Sequence, residues 1–111
     1  MDKKCRFSYS DIDDSLIVSC KEENENIRET FMVDEFIFSL TGKGKVVAMQ
    51  IRNASKVLSE NKIDSKILED LSGANLIVLR KENCLFIGLS LVSKQQKAEL
   101  PLRILVPELA A

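Results

Sequence analysis

The chain has 111 residues, a formal net charge of −1 and 45% hydrophobic residues, the size and balance of one globular domain. This charge disfavours general binding to nucleic acid, because phosphate contacts need an excess of Lys and Arg. No apolar run approaches the ~20 residues of a membrane-spanning helix, and residues 1–14 lack the apolar middle of a signal peptide. The sequence therefore predicts a cytoplasmic protein with neither nucleic-acid nor membrane partners.

Histidine is absent, which removes the commonest general base and the commonest metal ligand. Asp11, Asp13 and Asp14 offer carboxylates to a hard cation, but Leu16 stands where a calcium loop needs glycine. Residues 42–45, GKGK, lack the spacing and the Ser or Thr of a nucleotide-binding loop. We therefore expect a non-enzymatic domain with no catalytic residue, cofactor or metal site. A different hypothesis for the function is a carboxylate-dependent metal enzyme that uses the aspartate cluster.

The three cysteines, Cys5, Cys20 and Cys84, lie far apart and form no C-x-x-C pair. An odd number at these spacings disfavours a disulfide framework or a thiolate zinc site. We therefore expect three free thiols, buried or half-buried.

Alternating apolar residues predict strands through most of the first half. The predicted strands are LIVSC (16–20), residues 27–33, FIFSL (36–40) and VVAMQI (46–51). Gly42 and Gly44 in the stretch TGKGK predict a hairpin turn with positive φ at both glycines. Ile51 is expected to be buried at the end of the returning strand.

The apolar period changes from 2 to 3.6 after Ile51, which predicts a short helix carrying Ala54, Val57 and Leu58. Asn53 is the expected N-cap of this helix. A second helix is predicted over residues 64–72, with Asp64 or Ser65 as its cap and Gly73 at its C′ position.

The last third predicts strands again. NLIVLRK (75–81) and CLFIGLSLV (84–92) are separated by two residues, which is hairpin spacing, and residues 100–106 also alternate. Pro101 cannot donate to a ladder, so its strand is expected at a sheet edge. The predicted fold is a single α+β domain over residues 1–111, an antiparallel sheet with two short central helices packed on one face. Its strand-rich C-terminal part spans 74–107.

Two patterns in the first half read Y-S-D-I-D-D-S-L-I-V and G-K-V-V-A-M-Q-I-R-N-A-S. They resemble a family of small prokaryotic proteins of unknown function, which opens with Y-D-x-x-x-D-x-L-Y-I. That family later carries D-x-G-x-[IV]-V-G-I-E-I-x-x-A-S. The resemblance covers residues 7–58, and the matching residues are Tyr9, Asp14, Leu16, Gly44, Val47, Ile51, Ala54 and Ser55.

The chain departs from the family pattern at Ser10, Ala48 and Gln50, which stand in place of Asp, Gly and Glu. The family has no established activity, so the resemblance transfers no catalytic residue. Some members look like partners of small toxin-like proteins, which implies a binding role. In the corner between strand and helix, Ala54 is small enough for close packing, and Asn53 or Ser55 is able to cap.

An open antiparallel sheet leaves edges and a second face to cover, which favours self-association. We therefore predict an intracellular domain that acts through protein–protein contacts and forms a homodimer. The predicted interface residues are Leu89, Leu91, Pro101, Arg103 and Leu105. The alternative is a regulatory, antitoxin-like partner of another small protein.

Overall fold

The computed structural model describes residues 5–81 and 84–105, with the side chain of Leu105 also outside the described part. The described residues form eight strands, one α-helix and one 3-10 helix. The strands are β1 (Arg6–Ser10), β2 (Ser15–Ser19), β3 (Ile27–Val33), β4 (Phe36–Thr41), β5 (Val46–Arg52), β6 (Leu71–Lys81), β7 (Cys84–Ser93) and β8 (Lys97–Leu105). The helix α1 (Ala54–Glu60) and the 3-10 helix (Ser65–Asp70) lie between β5 and β6.

The strands make two antiparallel sheets. The larger has five strands in the order β1-β2-β5-β4-β3, and the smaller has three in the order β6-β7-β8. The hairpin predicted across residues 82–83 is confirmed by the pairing of Lys81 with Cys84, although Glu82 and Asn83 lie outside the described residues. The predicted edge position of Pro101 is also confirmed, because β8 pairs with β7 alone among the described strands.

The predicted α+β fold with two packed helices is wrong. The chain is mostly antiparallel sheet, with about 60% strand and 13% helix in two sheets. Residues 65–70 form a 3-10 helix and not an α-helix. Strand β6 begins at Leu71, which lies inside the helix predicted over 64–72. The paired residues of β6 and β7 extend from Lys81 and Cys84 to Leu71 and Ser93. The predicted end of the helix therefore pairs with β7 as part of a strand. Gly73 accordingly lies in β6, opposite Val92.

One hydrophobic core joins the two sheets, α1 and the 3-10 helix. The buried side chains of the larger sheet include Leu16, Val18, Phe38, Leu40, Met49 and Ile51. Those of the smaller sheet include Leu85, Ile87, Leu89, Leu91, Leu100 and Ile104. The helices add Ala54, Val57, Leu58, Ile67 and Leu68. The burial predicted for Ile51 is confirmed, since 1% of the residue is exposed.

The stretch TGKGK forms the predicted turn between β4 and β5. The Thr41 N–H donates to the Lys45 carbonyl, and the Gly44 N–H donates to the Thr41 carbonyl, each at 2.9 Å. Gly44 adopts φ 80°, a conformation that costs a glycine little. The positive φ predicted for Gly42 is wrong, because Gly44 is the one glycine with positive φ in the described chain.

Candidate functional site

Three large apolar side chains lie exposed on one face of the smaller sheet. Ile77 and Leu79 on β6 are 59% and 65% exposed, and Phe86 on β7 is 39% exposed. The backbone register sets two rows side by side: Ile77, Gly88 and Pro101, then Leu79, Phe86 and Arg103. Directly opposed residues in antiparallel strands point to the same side of the sheet, so these rows form one continuous surface.

We call this surface the outer face; it comprises Asn75, Ile77, Leu79, Phe86, Gly88, Ser90, Glu99, Pro101 and Arg103. Gly88 has no side chain and so leaves a shallow depression in the middle of the face. Glu99 and Arg103 lie two residues before and two residues after Pro101 on β8, and both are exposed. The outer face is therefore apolar at its centre, with opposite charges at equal spacing along one edge strand.

The predicted interface residues divide between this face and the core. Pro101 and Arg103 are exposed on the outer face, whereas Leu89 and Leu91 are 0% and 1% exposed and belong to the core. The two leucines are therefore not available to a partner on the folded chain. The side chain of Leu105 lies outside the described residues. Alternation in the sequence indicated which β7 residues share a face, but it did not indicate which face is covered.

The residues that the sequence interpretation missed are Ile77, Leu79 and Phe86. The sequence did contain a sign that Ile77 and Leu79 would be exposed. They alternate with Leu76 and Val78, which lie on the opposite face of β6 and are half-buried against the core. When a strand has apolar residues on both faces and only one face is covered, the apolar residues of the other face stay exposed. In β6 these exposed residues are Ile77 and Leu79.

The corner between β5 and α1 is held by a carboxylate from a different part of the chain. Asp14, in the turn between β1 and β2, accepts from the Ser55 N–H at 3.0 Å and from the Ser55 hydroxyl at 2.7 Å. Its other hydrogen bond comes from the Tyr9 hydroxyl at 2.6 Å. The Asp14 carbonyl accepts from the Ala54 N–H at 2.9 Å. Four residues from the two quoted patterns therefore meet at one point.

These contacts shift the pKa of both acidic groups. The hydrogen bond to Asp14, with burial and the neighbouring negative charge, raises the pKa of Tyr9 to about 12. For Asp14, burial raises the pKa, but the hydrogen bonds from Ser55 and Tyr9 outweigh it and lower the pKa below its ordinary value. A low carboxyl pKa and a high phenol pKa keep Asp14 charged and Tyr9 protonated at neutral pH. The pair is thus a stabilising anchor and neither member is poised to transfer a proton.

Asn53 takes the predicted N-cap position of α1, but the capping hydrogen bond expected from its side chain is absent. Asn53 has left-handed backbone angles, φ 52° and ψ 48°, and its side chain makes no capping hydrogen bond. It donates instead to the Glu35 carboxylate, which also lies 3.6 Å from the Arg52 guanidinium. A capping residue normally has extended backbone angles, so the left-handed turn at Asn53 points its oxygen away from the helix. Asp14 supplies the missing acceptor.

Gln50 lies beside this corner, where the resembled family has Glu. Its side-chain amide donates to the Ser15 hydroxyl at 2.8 Å, across the β2–β5 pair. A shallow polar depression of about 380 Å³ surrounds this contact, lined by Asp13, Ser15, Glu35, Gln50, Arg52 and Asn53. Its hydrogen bonds and ion pair stay within the corner, so they serve to fix the turn between strand and helix.

The aspartate cluster does not form a shared ligand set. Both oxygens of Asp14 accept hydrogen bonds from Tyr9 or Ser55, while Asp11 and Asp13 are exposed in the turn. Within residues 5–81 and 84–105, no three carboxylate or cysteine groups are arranged to hold a metal ion. The geometry of the turn therefore lends no support to a metal enzyme built on this cluster.

The expectation of three free thiols is wrong for two of them. A disulfide joins Cys5 to Cys20, whose Cα atoms lie 4.3 Å apart, and Cys84 is a buried free thiol. The β1–β2 register pairs Arg6 with Ser19 and so brings the two cysteines opposite each other, which their separation along the chain concealed. Disulfides persist mainly in oxidising compartments, whereas the predicted cytoplasmic location is a reducing one.

A cleft of about 400 Å³ opens between the two sheets, beside the β4–β5 turn. Its lining residues are Cys20, Lys43, Gly44, Lys45, Val46, Val47, Leu76, Val78, Arg80 and Leu85. The floor is apolar and the rim carries three cations from two sheets. A cleft of this size falls within the usual range for small-molecule sites.

Comparisons with protein-family models, with curated proteins and with solved structures found no match. The resemblance of residues 7–58 to a family of unknown function therefore stays a prediction. Among the described residues, no helix has the length and apolar character needed to cross a membrane.

Proposed function

We propose that the protein is a non-enzymatic domain that acts through protein–protein contacts and self-associates through the outer face. The observation that carries this proposal is the exposure of Ile77, Leu79 and Phe86 in adjacent rows of one regular sheet. Contiguous apolar surface on a sheet is costly in water and is a common mark of an interface. Self-association would cover it without a second protein.

A two-fold contact suits the pattern of the outer face. In the proposed dimer, the outer faces of two chains face each other, and the two-fold axis lies between them, across the strands and parallel to the row of Ile77, Gly88 and Pro101. The strands of the second copy then run in the opposite direction, and each residue of this row faces the same residue of the second copy. The axis then places Leu79 of one chain opposite Asn75 of the second copy and Phe86 opposite Ser90, so each large apolar side chain meets a smaller polar one. A self-complementary patch of this kind is what a closed two-fold dimer requires.

The charges on β8 support the same arrangement. Because Glu99 and Arg103 lie at equal distances from Pro101, the axis places Arg103 of one chain opposite Glu99 of the second copy. Two equivalent ion pairs then form at the rim of the contact. Charged pairs at a rim contribute mainly to orientation and specificity, and the apolar rows supply most of the affinity.

Sedimentation velocity at tens of micromolar protein tests the proposal. A dimer should sediment as twice the chain mass of 12.5 kDa. Ile77→Lys places two like charges face to face on the axis, so it should give a folded monomer that still unfolds cooperatively and whose melting temperature no longer depends on protein concentration. Ile12→Lys is the matched control, because Ile12 is 95% exposed in the β1–β2 turn and away from the sheet. A wild-type monomer at these concentrations would overturn the proposal, and a dimer that tolerates Ile77→Lys would move the interface elsewhere.

A further inference from the structure

Strand β1 is an edge of the larger sheet and is fastened at its two ends. Its five residues pair with β2 alone among the described strands, and each of them is exposed or half-buried. The neighbouring strand β2, by contrast, buries Ser15, Leu16 and Val18. Short edge segments with few buried side chains open at a low free energy, so β1 depends on the bonds at its ends.

The bonds at the two ends of β1 differ in their chemistry. At the C-terminal end, the Tyr9 hydroxyl donates to Asp14 at 2.6 Å. At the N-terminal end, the Cys5–Cys20 disulfide continues the pairing of β1 with β2 by one residue. Reduction breaks the disulfide and leaves the hydrogen bond intact. The N-terminal end is then held by its backbone pairing and by the packing of Phe7 against the core.

The two sulfur atoms of the disulfide have different surroundings. Cys20 is half-buried and lines the cleft between the sheets, so a small molecule in the cleft can reach its sulfur. Its backbone N–H donates to the Val47 carbonyl at 2.8 Å, which fixes this side of the disulfide in the sheet. The Asn75 side-chain oxygen lies 3.0 Å from the Cys5 sulfur and 3.9 Å from the Cys20 sulfur. Because this oxygen repels an approaching thiolate, attack is easier at Cys20.

We propose that the Cys5–Cys20 disulfide is a redox switch for β1, reduced by a small monothiol of the glutathione type that attacks Cys20 from the cleft. The thiolate sulfur bonds to Sγ of Cys20, the disulfide breaks, and Cys5 leaves with the electron pair and takes a proton from water. A second thiolate then attacks the sulfur of the bound monothiol, which releases Cys20 and forms the disulfide of the monothiol. Two thiols are thus oxidised while the protein gains two electrons and two protons.

Reduction releases the N-terminal end of β1 from the sheet. The Cys5 thiol can donate a hydrogen bond to Asn75, but a thiol is a weak donor and does not replace a covalent bond. Detachment removes the partners of Val18 and Ser19, so the backbone groups at this end of β2 become open to another strand. Both strands belong to the larger sheet, and the switch therefore does not depend on self-association through the outer face.

NMR of the isotope-labelled full chain, oxidised and then fully reduced by a phosphine, tests the release of β1. In the reduced form, the contact between Phe7 and Val18 should disappear, and the backbone order parameter of Phe7 should fall below about 0.6. The contact between Val18 and Met49 in the β2–β5 pair should persist. A Phe7–Val18 contact that survives reduction would overturn the proposal. Loss of the Val18–Met49 contact would count against it equally, because reduction would then unfold the sheet and not release one strand end.

Mass spectrometry locates the sulfur that the thiol attacks. The oxidised protein is mixed with millimolar glutathione, quenched with acid and digested. We expect the mixed disulfide on Cys20 and a free thiol at Cys5. A glutathione adduct mainly on Cys5, or a folded protein that glutathione leaves oxidised, would refute the proposed reaction.

A pair of variants tests the approach through the cleft. Val78→Phe narrows the cleft that Cys20 also lines, and it should slow reduction by glutathione about threefold or more, because access limits thiol–disulfide exchange. Leu79→Phe enlarges the next residue, on the opposite face of β6, and should leave the rate unchanged. Equal rates in the two variants, with wild-type circular dichroism spectra, would show that the thiol does not enter through the cleft.

Discussion

The carboxylate of Asp14 accepts hydrogen bonds from both the backbone N–H and the hydroxyl of Ser55, a residue 41 positions further along the chain. This contact links the β1–β2 turn to the first turn of α1. Helix caps usually come from the residue immediately before the helix. Here Asn53 adopts a left-handed conformation, and the cap comes from a neighbouring hairpin instead.

Removal of the Asp14 carboxylate should destabilise the fold. Asp14→Asn is the suitable change, because Asn tolerates the positive φ of 52° at this position. It loses the charge and one acceptor, and loss of a hydrogen bond to a charged group costs about 1.5 kcal/mol or more. Urea denaturation measures the change in the free energy of unfolding. Asp13→Asn, in the same turn and exposed, is the control; equal stability of the two variants would contradict the capping role.

The Tyr9–Asp14 pair should give stability a defined pH dependence. The lowered pKa of Asp14 adds stability that is complete above the ordinary value of 3.8 and is lost as the pH falls below it. The raised pKa of Tyr9 adds stability that is complete below 10.0 and is lost as the pH rises toward about 12.

Comparison with Tyr9→Phe isolates the alkaline limb of this dependence. The variant cannot ionise at position 9, so its free energy of unfolding should fall less than that of the wild type between pH 10 and 12. Urea denaturation at each pH provides the values, and other groups that titrate in this range cancel in the difference. Parallel profiles for the two proteins would show that Tyr9 ionises equally in the folded and unfolded chains.

Ile51→Asp should unfold the domain. Ile51 is 1% exposed and packs in the common core, so the change buries an unpaired charge at a cost of several kcal/mol. Lys43→Ala, in the exposed β4–β5 turn, should change the free energy of unfolding by less than about 0.5 kcal/mol. Thermal unfolding followed by circular dichroism compares them. A cooperative transition of Ile51→Asp at the temperature of Lys43→Ala would refute the burial of this side chain.

Cys20→Ser should lower stability in oxidising buffer alone. The Cys5–Cys20 disulfide closes a loop with a sequence separation of 15, for which the loss of unfolded-state entropy is worth about 3 kcal/mol. Urea denaturation with and without a phosphine reductant should show the wild type falling to the stability of the variant when reduced. Thiol alkylation in intact cells then reports which form the protein has in its own compartment; a reactive Cys5 would favour the predicted cytoplasmic location.

The charges of β8 provide a reciprocal test of the proposed dimer. Glu99→Arg and Arg103→Glu each set like charges opposite one another and should weaken the dimer. The double variant restores opposite charges and should recover the wild-type dissociation constant. Both side chains are exposed, so the fold should tolerate all three changes. If the single variants dimerise as the wild type does, the proposed direction of the two-fold axis is incorrect.

Local patterns in the sequence determined the strands and their turns. The β6–β7 hairpin, the turn at residues 41–45 and the edge position of Pro101 follow from alternation, glycine conformation and the missing proline N–H, all properties of neighbouring residues. The burial of Ile51 follows in the same way, because Val47, Met49 and Ile51 share one face of the strand, whereas the other face carries Gln50 and Arg52.

Tertiary structure decided the features that depend on partners distant in the chain. Strand pairing with β7 placed Leu71 and Ser72, the last two residues of the helix predicted over 64–72, in β6, and the β1–β2 register brought Cys5 to Cys20. Packing of the two sheets into one core buried Leu89 and left Ile77 exposed, although both belong to alternating apolar strands. Periodicity indicates which side chains share a face. Only the contact between distant segments determines which of the two faces is removed from water.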